Sequence, residues 1–252
     1  MAETPFIVSG GANPLQRKAA LVTGAAKRIG RTIALELARA GADIGITYLN
    51  SEREAQDTLT AIRDLGRRAF AAKADLTRAD EIQAAVGCLI GQLGSLDMLV
   101  NNAGFFESAV MEEITVEQWD HMFATNTRAP FLVAQAAHQA LKKAKGRIVN
   151  VGSLGGIHPW STHAHYCTSK AALHMLSQTM AKAWAPEISV NCVAPGMIVQ
   201  GEVGEAYQYF ADKTPMRRNG TAEDVAAAVL FFAAAPHFIT GQLVAVDGGL
   251  GL

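Results

Sequence analysis

The chain has 252 residues, half of them apolar, and its formal net charge at neutral pH is −1. This balance provides no basic surface for nucleic acid, and no apolar run reaches the roughly 20 residues of a membrane-spanning helix. The length suffices for one α/β domain with a large core or for two small domains. Nucleic acid and membrane are therefore not expected as partners.

The first 18 residues lack the basic start and long apolar core of a signal peptide, and we expect them to form a flexible leader. The three cysteines, Cys88, Cys167 and Cys192, are scattered and have no metal-ligand spacing. We therefore expect reduced thiols, no metal site and a cytoplasmic location.

From Ala19 onward, short apolar runs alternate with helical patterns. Strands are predicted at residues 19–23, 43–48, 69–74, 98–101, 147–151, 189–193 and 243–246. Helices are predicted at residues 29–40, 52–65, 79–93, 128–143, 165–185 and 222–234. Nearly continuous apolar strands between helices are typical of a parallel sheet that is covered on both faces. With no linker and no repeat, we predict a single α/β domain over residues 19–252, built on a seven-stranded parallel sheet.

Ligands of parallel sheets bind beyond the carboxyl ends of the strands, and the first predicted strand ends there in a glycine-containing turn. Backbone N–H groups and the dipole of the following helix make such a turn a phosphate site. The usual fingerprint has three glycines, and here an arginine takes the middle position. The predicted phosphate-loop contacts are Gly24, Lys27, Arg28, Ile29 and Gly30.

The end of the second strand distinguishes between cofactors. An acid at this position accepts hydrogen bonds from an adenosine ribose and repels a 2′-phosphate. The chain has Asn50 and Ser51 there and no acid before Glu52, while Lys27 and Arg28 add positive charge nearby. We therefore predict NADPH rather than NADH, with Asn50 and Ser51 among the contacts.

The third and fourth strands also end in small or polar residues. Asp75, followed by Leu76, can accept a hydrogen bond from an adenine amino group, although a helix cap is the alternative role for Asp75. After the fourth strand, Asn102, Ala103 and Gly104 let the backbone lie close to a flat ligand.

Tyr166 and Lys170 form the most informative catalytic pattern in the chain. Residues four apart share one face of a helix, so both side chains reach the same small volume. A tyrosine hydroxyl has a pKa of about 10, and a nearby ammonium group lowers it by favouring the phenolate. With the Ser153 hydroxyl able to polarise a carbonyl, the pattern predicts proton transfer to a carbonyl or from an alcohol. A surface Tyr–Lys pair is the alternative when the pattern is taken alone.

Together these motifs resemble the short-chain dehydrogenase/reductase family in order and spacing over about residues 19–249. The resemblance implies a Rossmann fold that binds a nicotinamide cofactor. It also implies that Tyr166 is the catalytic acid, that Lys170 holds the nicotinamide ribose and lowers the tyrosine pKa, and that Ser153 positions the carbonyl. Asn126 is expected to steady a water chain that resupplies the proton.

The resemblance further implies that Pro195, Gly196 and Ile198 lie beside the nicotinamide amide. The chain departs from the family pattern at two points. Arg28 replaces the middle glycine of the phosphate loop, and the segment after Gly196 lacks the threonine that often contacts the amide.

The sequence leaves the substrate open. The intact Ser–Tyr–Lys–Asn set is similar to that of 3-oxoacyl-(acyl-carrier-protein) reductases, the leading interpretation, whose acidic carrier needs basic residues near the entrance. The candidates for that role are Arg128, Lys142, Lys143, Lys145 and Lys182. The phosphate loop with its arginine resembles pteridine reductases, the alternative, although better-known members carry aspartate at the position of Ser153. A pterin ring would need an aromatic shelf, for which Phe105 and Trp160 are candidates, with packing in the core or over a loop as the alternative for either ring.

Two further hypotheses use the same residues: an NADP(H)-sensing protein without turnover, and a dehydrogenase that oxidises sugars or steroids. Residues 200–215 are expected to form a lid that carries Tyr207, Tyr209 and Phe210. The resemblance also implies a homotetramer or dimer, with the apolar helices 128–143 and 165–185 as candidate contact faces.

Overall fold

A parallel sheet of seven strands forms the centre of the structure, a computed structural model that describes residues 13–199 and 205–252. The strands are β1 (Ala19–Val22), β2 (Asp43–Tyr48), β3 (Ala69–Lys73), β4 (Met98–Asn101), β5 (Arg147–Val151), β6 (Ser189–Pro195) and β7 (Leu243–Val246). Their order is β3-β2-β1-β4-β5-β6-β7, and all neighbours are parallel. The direction of strand succession reverses between β1 and β4, which opens a crevice at the carboxyl ends of these two strands. The predicted fold is confirmed.

Helices cover both faces of the sheet. They are α1 (Arg28–Arg39), α2 (Glu52–Asp64), α3 (Ala79–Leu93), α4 (Val116–Phe123), α5 (Ala129–Ala144), α6 (Ala164–Trp184), α7 (Glu205–Lys213) and α8 (Ala222–Ala234). Because side chains alternate along a strand, Ala20 and Val22 of β1 pack in the core with α1, α2 and α8. Ala19 and Leu21 pack in the second core with α3, α5 and α6.

Helices α4 and α7 were not predicted. Met122 is the one buried residue in α4, so the apolar periodicity of this segment is weak. Its start nevertheless carries a local signal, a capping box in which Thr115 and Gln118 bond each other's backbone N–H. Helix α7 lies in the expected lid, of which residues 200–204 lie outside the described residues.

The chain passes from α4 into α5 through a π-helical turn, Ala124–Arg128. A π-turn inserts an extra residue into the helical ladder, which redirects the side chains around it. Asn126 lies in this turn and is fully buried. The turn therefore aims a polar side chain inward, towards the carboxyl ends of the central strands.

The folded domain begins earlier than predicted. The flexible leader was expected to span residues 1–18, but part of that segment is packed against the domain. Leu15 is buried, and its backbone N–H donates to the carbonyl of Ala40 at 2.9 Å. Residues 13–18 therefore pack against the end of α1, because an apolar side chain there finds a site between α1 and the sheet. Residues 1–12 of that leader lie outside the described residues.

The N-terminus of α8 offers a test of local stabilisation. The Thr221 hydroxyl accepts from the Asp224 N–H at 3.3 Å, and the Asp224 carboxylate accepts from the Thr221 N–H at 2.8 Å. We expect Thr221→Ala to lower the free energy of unfolding by about 1 kcal/mol, since one end of this box is lost. Urea denaturation measures the change. The control is Thr179→Ala, which removes an exposed hydroxyl bonded within α6 and should cost less than about 0.5 kcal/mol. Equal losses in the two variants would contradict a capping role.

Candidate active site

The loops after β1 and β4 are held together by the side chain of Thr23. Its hydroxyl accepts from the backbone N–H groups of Asn102 and Ala103, both at 3.0 Å. In return, the Asn102 side-chain amide donates to the carbonyls of Thr23 at 2.9 Å and Gly24 at 3.2 Å. Thr23 is buried, so these bonds are shielded from water. Thr23 was not among the predicted site residues, although its position at the end of an apolar strand and before a glycine was a signal in the sequence.

Three glycines shape a groove along these loops. A Cβ on Gly24, whose φ is +62°, would lie 2.9 Å from the Cα of Ala103. A Cβ on Gly30 would collide with the Asn102 side chain and lie 2.7 Å from the Gly24 carbonyl oxygen. A Cβ on Gly104 would lie 3.3 Å from Asn126 Oδ1. The missing side chains thus allow close packing of the loops, and they leave the surface along Gly24, Gly30 and Gly104, called the groove below, without side chains that would block a flat ligand.

The N-terminus of α1 points into this groove without a competing anion. Lys27, at the N-cap, makes no side-chain cap hydrogen bond, and the first turn has no acid in the described chain. Its N–H groups and positive dipole end therefore suit a phosphate, as predicted from the glycine pattern. Ile29 is half-buried there and packs on the core beneath α1.

The backbone conformation of Arg28 shows why glycine is common at this position of the phosphate loop. Its φ is +56°, in the left-handed region that side chains with a Cβ rarely adopt. The side chain is exposed, and so is that of Lys27, whose Nζ lies 3.8 Å from Glu54 Oε1. Asn50 is exposed at the end of β2, and Ser51 is the half-buried N-cap of α2. The sequence thus places a guanidinium at the groove at the cost of backbone strain.

Asp75 is engaged in a local turn. Its Oδ1 accepts from the Thr77 N–H at 2.8 Å and the Thr77 hydroxyl at 2.7 Å, and these bonds hold the pKa of Asp75 below its ordinary value. The N-cap of α3 is Arg78, so Asp75 shapes the turn before the helix. Leu76 is half-buried and packs on the second core. A contact between Asp75 and an adenine stays a prediction.

Asn126 fastens the loop that follows Gly104. Its Oδ1 accepts from the Phe105 N–H at 2.8 Å, and its Nδ2 donates to the Phe105 carbonyl at 2.9 Å and to Ser169 Oγ at 3.1 Å. The side chain therefore joins the π-turn, the loop after β4 and α6. Its amide is committed to this connection.

The predicted catalytic side chains meet at the ends of β4, β5 and α6. Ser153 follows β5, is buried, and hydrogen-bonds with the Tyr166 hydroxyl. Lys170 is 5% exposed, and its Nζ donates to the carbonyl of Val151 at 2.9 Å. A Cβ on Gly104 would lie 3.5 Å from that Nζ, so the ammonium borders the groove.

The protonation of this group differs from the expectation that Lys170 lowers the pKa of Tyr166. Burial raises the pKa of Tyr166, and the hydrogen bond with Ser153 opposes that rise only in part. Burial also lowers the pKa of Lys170 to about 8. The physical reason is burial, because both groups lose hydration, which disfavours the phenolate and the ammonium.

At the end of β6, Pro195 is buried and Gly196 donates its N–H to the carbonyl of Val246 at 3.0 Å. A Cβ on Gly196 would lie 2.7 Å from the Cβ of Asp247. Ile198 is half-buried and forms a parallel bridge with Gly220. The three predicted residues therefore lie at or just after the end of β6, on the same edge of the sheet as Ser153 and Tyr166.

Aromatic rings enclose Tyr166. Trp160 stacks on it with centroids 6.1 Å apart and planes 15° apart, and Phe106 meets it edge-on at 4.8 Å. His163 stacks on Phe106 at 4.8 Å. Phe105, the other predicted shelf residue, packs against His121 and does not contact Tyr166 through its ring. Phe106, which was not among the candidates, lies beside Tyr166, and a shelf role for Phe105 stays a prediction whose alternative is packing in the core or over a loop.

Four of the five basic residues proposed for the entrance lie elsewhere. Helices α5 and α6 run back from the carboxyl edge to the amino edge of the sheet, so their last turns carry Lys142, Lys143, Lys145 and Lys182 away from the site. Lys142 is paired there with Glu187 at 3.3 Å. Arg128 alone of the five lies at the site edge, where it donates to the Thr77 carbonyl at 3.0 Å.

The cysteines and the possible metal ligands were also the subject of predictions. All three cysteines are free, with Cys167 and Cys192 buried and Cys88 exposed. Residues 13–199 and 205–252 contain no cluster of side chains able to hold a metal ion. In the same part of the chain, no helix is both long and apolar enough to cross a membrane.

Known proteins share this architecture. The family model described as enoyl-(acyl carrier protein) reductase matches residues 24–251. The 3-oxoacyl-[acyl-carrier-protein] reductase FabG of Staphylococcus aureus is 35% identical over 240 residues, which cover 92% of this chain and 98% of that protein. A solved short-chain dehydrogenase/reductase from Serratia marcescens has a TM-score of 0.91 and 34% identity, and covers 95% of this chain and 100% of its own. A short-chain dehydrogenase from Burkholderia cenocepacia in complex with NADP has a TM-score of 0.90 and 36% identity at the same coverage.

The strain at Arg28 is testable by comparing two substitutions. Arg28→Gly and Arg28→Ala both remove the charge, but only glycine adopts a φ of +56° without cost. We expect the glycine variant to exceed the alanine variant by about 1 kcal/mol in free energy of unfolding, after the greater flexibility of glycine in the unfolded chain is deducted. Urea denaturation of the two variants measures the difference. An alanine variant as stable as the glycine variant would show that the loop relaxes away from this conformation.

Proposed function

The chain belongs to the short-chain dehydrogenase/reductase family, and we propose on that premise that it reduces a carbonyl to an alcohol with Tyr166 as proton donor. It is an NADP(H)-dependent oxidoreductase of this family. The observation that carries the proposal is the convergence of three side chains: Tyr166 and Lys170 follow each other by four residues on α6, the Lys170 ammonium borders Gly104, and the buried Ser153 hydroxyl interacts with Tyr166.

The groove fits the cofactor that the family uses. Gly24, Gly30 and the uncapped N-terminus of α1 would hold its pyrophosphate, because they leave backbone N–H groups free of side-chain competition. Arg28 and Lys27 would donate hydrogen bonds to a 2′-phosphate, and the end of β2 carries no acidic side chain that would repel the phosphate. These features support NADPH over NADH.

The inner end of the groove would hold the nicotinamide half. Lys170 would bond its ribose, and Ala103 and Gly104 leave room along the β4 loop. Pro195, Gly196 and Ile198 would border the amide from β6, on the same sheet edge. A bound cofactor would supply the hydride for the reaction.

The protein's own contribution is to hold and release one proton. Ser153 would donate a hydrogen bond to the substrate carbonyl oxygen, which polarises it, and Tyr166 would release its phenolic proton to the same oxygen. Because burial raises the pKa of Tyr166, the phenol is protonated at neutral pH, as a donor must be. Lys170, with a pKa of about 8, is mainly charged at that pH and would stabilise the phenolate that forms.

Asn126 connects the catalytic loop to α6, so its first proposed role is to keep Phe105 and Ser169 in place. The side-chain amide of Asn126 is already occupied by these hydrogen bonds. We propose in addition that Asn126 steadies a water chain that resupplies the proton. Ser169 also donates to the Tyr166 carbonyl at 2.8 Å, which ties Asn126 to the helix turn that carries the tyrosine.

For the substrate we propose a 3-oxoacyl thioester first. A relative at 35% identity and full-length coverage is named a 3-oxoacyl-[acyl-carrier-protein] reductase, and the Ser–Tyr–Lys–Asn set is intact here. The position of the basic residues limits this proposal. Since only Arg128 of the five candidates lies at the site edge, an acyl chain carried by coenzyme A fits better than docking of an acidic carrier protein.

A reduced pterin is the second candidate, and the aromatic enclosure of Tyr166 favours it. Trp160 and Phe106 offer flat apolar surfaces on two sides of the tyrosine, and Phe106 is 57% exposed at the groove. Stacking on such rings contributes to binding of planar heterocycles. Ser153 in place of the aspartate of better-known pteridine reductases is the feature that places this candidate second.

The remaining alternatives use the same site. An NADP(H)-sensing protein would need neither Tyr166 nor Lys170, yet both are present and buried or half-buried beside the groove. Oxidation of an alcohol would run the same proton transfer in reverse, and NADPH preference favours reduction. We also propose a cytoplasmic homotetramer or dimer, supported by exposed apolar side chains on α4, α5 and α6, namely Val116, Trp119, Phe131 and Met175.

Tyr166→Phe tests the proposed chemistry, because it removes the phenolic proton and leaves the ring contacts. We expect turnover of any accepted carbonyl substrate to fall by 10²-fold or more, on the scale of general acid catalysis, while NADPH binding measured by fluorescence stays within roughly threefold. The control is Tyr209→Phe, which removes an exposed hydroxyl on α7. A sensing protein would also bind NADPH in both variants, but its wild type would show no turnover with any carbonyl, and that outcome would contradict the proposal.

NADPH oxidation with acetoacetyl-CoA and with a dihydropterin in parallel assays separates the two substrate classes. We expect Phe106→Ala to raise the KM for a pterin by roughly 3- to 10-fold, the value of one aromatic contact, and to change the KM for the thioester less. Phe238→Ala is the matched control, since Phe238 is fully exposed and precedes β7 at the amino edge. Turnover of the pterin alone would reverse the order of the two candidates.

A further inference from the structure

The face of α6 that carries Tyr166 and Lys170 continues one turn further to His174. The three residues follow at intervals of four, so they form one stripe along the helix. The proposed chemistry uses the first two and leaves His174 without a function. His174 is nevertheless 7% exposed and lies against the loop that carries Ser153.

The contact with that loop is specific. The backbone N–H of Ser153 donates to His174 Nε2 at 3.3 Å, and the Gly156 backbone hydrogen-bonds with the same ring. Because a backbone N–H can only donate, Nε2 must accept, which leaves the ring proton on Nδ1.

Two glycines make the space for this ring. A Cβ on Gly152 would collide with His174 Nε2 and lie 2.7 Å from its Cδ2, and a Cβ on Gly156 would lie 2.6 Å from its Cε1. The imidazole is thus inserted between Gly152, which precedes Ser153, and Gly156, the last residue of the short helical turn Leu154–Gly156. A side chain at either glycine would expel the ring or move the loop.

We propose that neutral His174 is a positioning residue that fixes the Ser153 loop, so that the Ser153 hydroxyl faces both Tyr166 and the substrate carbonyl. The Ser153 hydroxyl accepts from the Gly155 N–H at 3.1 Å, so its direction follows the path of the loop. A displacement of about 1 Å at a reacting group can cost on the order of 10²-fold in rate. This inference rests on the proposed carbonyl reduction.

The surroundings keep the ring neutral. Burial, and then the charge of Lys170 on the same helix, lower the pKa of His174 to about 4. Cys192 on β6 also borders Gly152, and burial raises the pKa of its thiol to about 11, so it stays uncharged. Protonation below about pH 4 would place a second N–H opposite that of Ser153, and the hydrogen bond would be lost. The contact is therefore present above that pH and absent below it.

Two substitutions separate the hydrogen bond from the volume of the ring. His174→Gln keeps an acceptor at the end of a side chain of similar reach, while His174→Leu fills space without one. We expect kcat to fall on the order of 10²-fold in the leucine variant and to recover to within roughly fivefold of wild type in the glutamine variant. The KM and the NADPH dissociation constant should stay within about threefold in both, because His174 borders neither ligand. Gln178→Ala, an exposed change one turn further along α6, is the control.

NMR of nitrogen-labelled histidine provides a readout that needs no turnover. We expect the His174 signals to show a neutral ring with the proton on Nδ1 from about pH 8 down to about pH 5, and the Ser153 amide signal to shift in the leucine variant. A ring that titrates near its ordinary pKa, or a proton on Nε2, would overturn the inference. So would equal losses of kcat in the two variants. If wild type turns over no carbonyl, the proposed function fails, while the NMR result still decides whether His174 holds the loop.

Discussion

The close approach of the loops after β1 and β4 is the constraint on which the rest of the site depends. These strands are neighbours in the sheet although β2 and β3 lie between them in the chain, and a ligand can enter the crevice at their carboxyl ends. The Thr23 hydroxyl sets the spacing through two backbone hydrogen bonds, and Gly24 allows contact with Ala103. A larger separation would leave Gly104 away from Asn126 and Lys170. The same loop contacts therefore position both the groove and the proposed catalytic residues.

Loss of hydration sets the direction of the pKa shifts of Tyr166 and Lys170. Tyr166 and Lys170 both shift towards their neutral forms, the tyrosine by a raised pKa and the lysine by a lowered one. The resemblance implied instead a tyrosine with a lowered pKa beside a charged lysine. The raised pKa of Tyr166 favours the protonated phenol that the proposed proton donor needs, and Lys170, with a pKa of about 8, is mainly charged at neutral pH. In the proposed mechanism, burial thus keeps the phenol protonated until a carbonyl binds beside Ser153.

Small backbone features place the remaining groups. The π-turn at Ala124–Arg128 directs Asn126 inward, and the left-handed conformation of Arg28 places a guanidinium where other loops have glycine. Both features carry an energetic cost that the surrounding packing offsets. Gly152 and Gly156 act in a different way, since they admit the His174 ring beneath Ser153. In each case a local irregularity in the backbone serves a side chain at the site.

Within residues 13–199 and 205–252, the sequence by itself predicted the seven strands of the sheet and six of the eight α-helices, and it located the residues of the proposed catalytic and phosphate-loop motifs. These depend on local patterns, namely apolar periodicity, glycine turns and the four-residue interval between Tyr166 and Lys170. Helix α4 escaped prediction because one buried residue leaves almost no periodicity, although the capping box at Thr115 was visible.

Only the tertiary structure decided which side chains meet across distant segments. Phe106 rather than Phe105 faces Tyr166, the lysines at the ends of α5 and α6 lie at the opposite edge of the sheet, and His174 reaches Ser153. The pKa of Tyr166 likewise depends on how much water the neighbouring segments exclude. Such contacts and burial arise when strands far apart in sequence are brought together, and no local pattern encodes them.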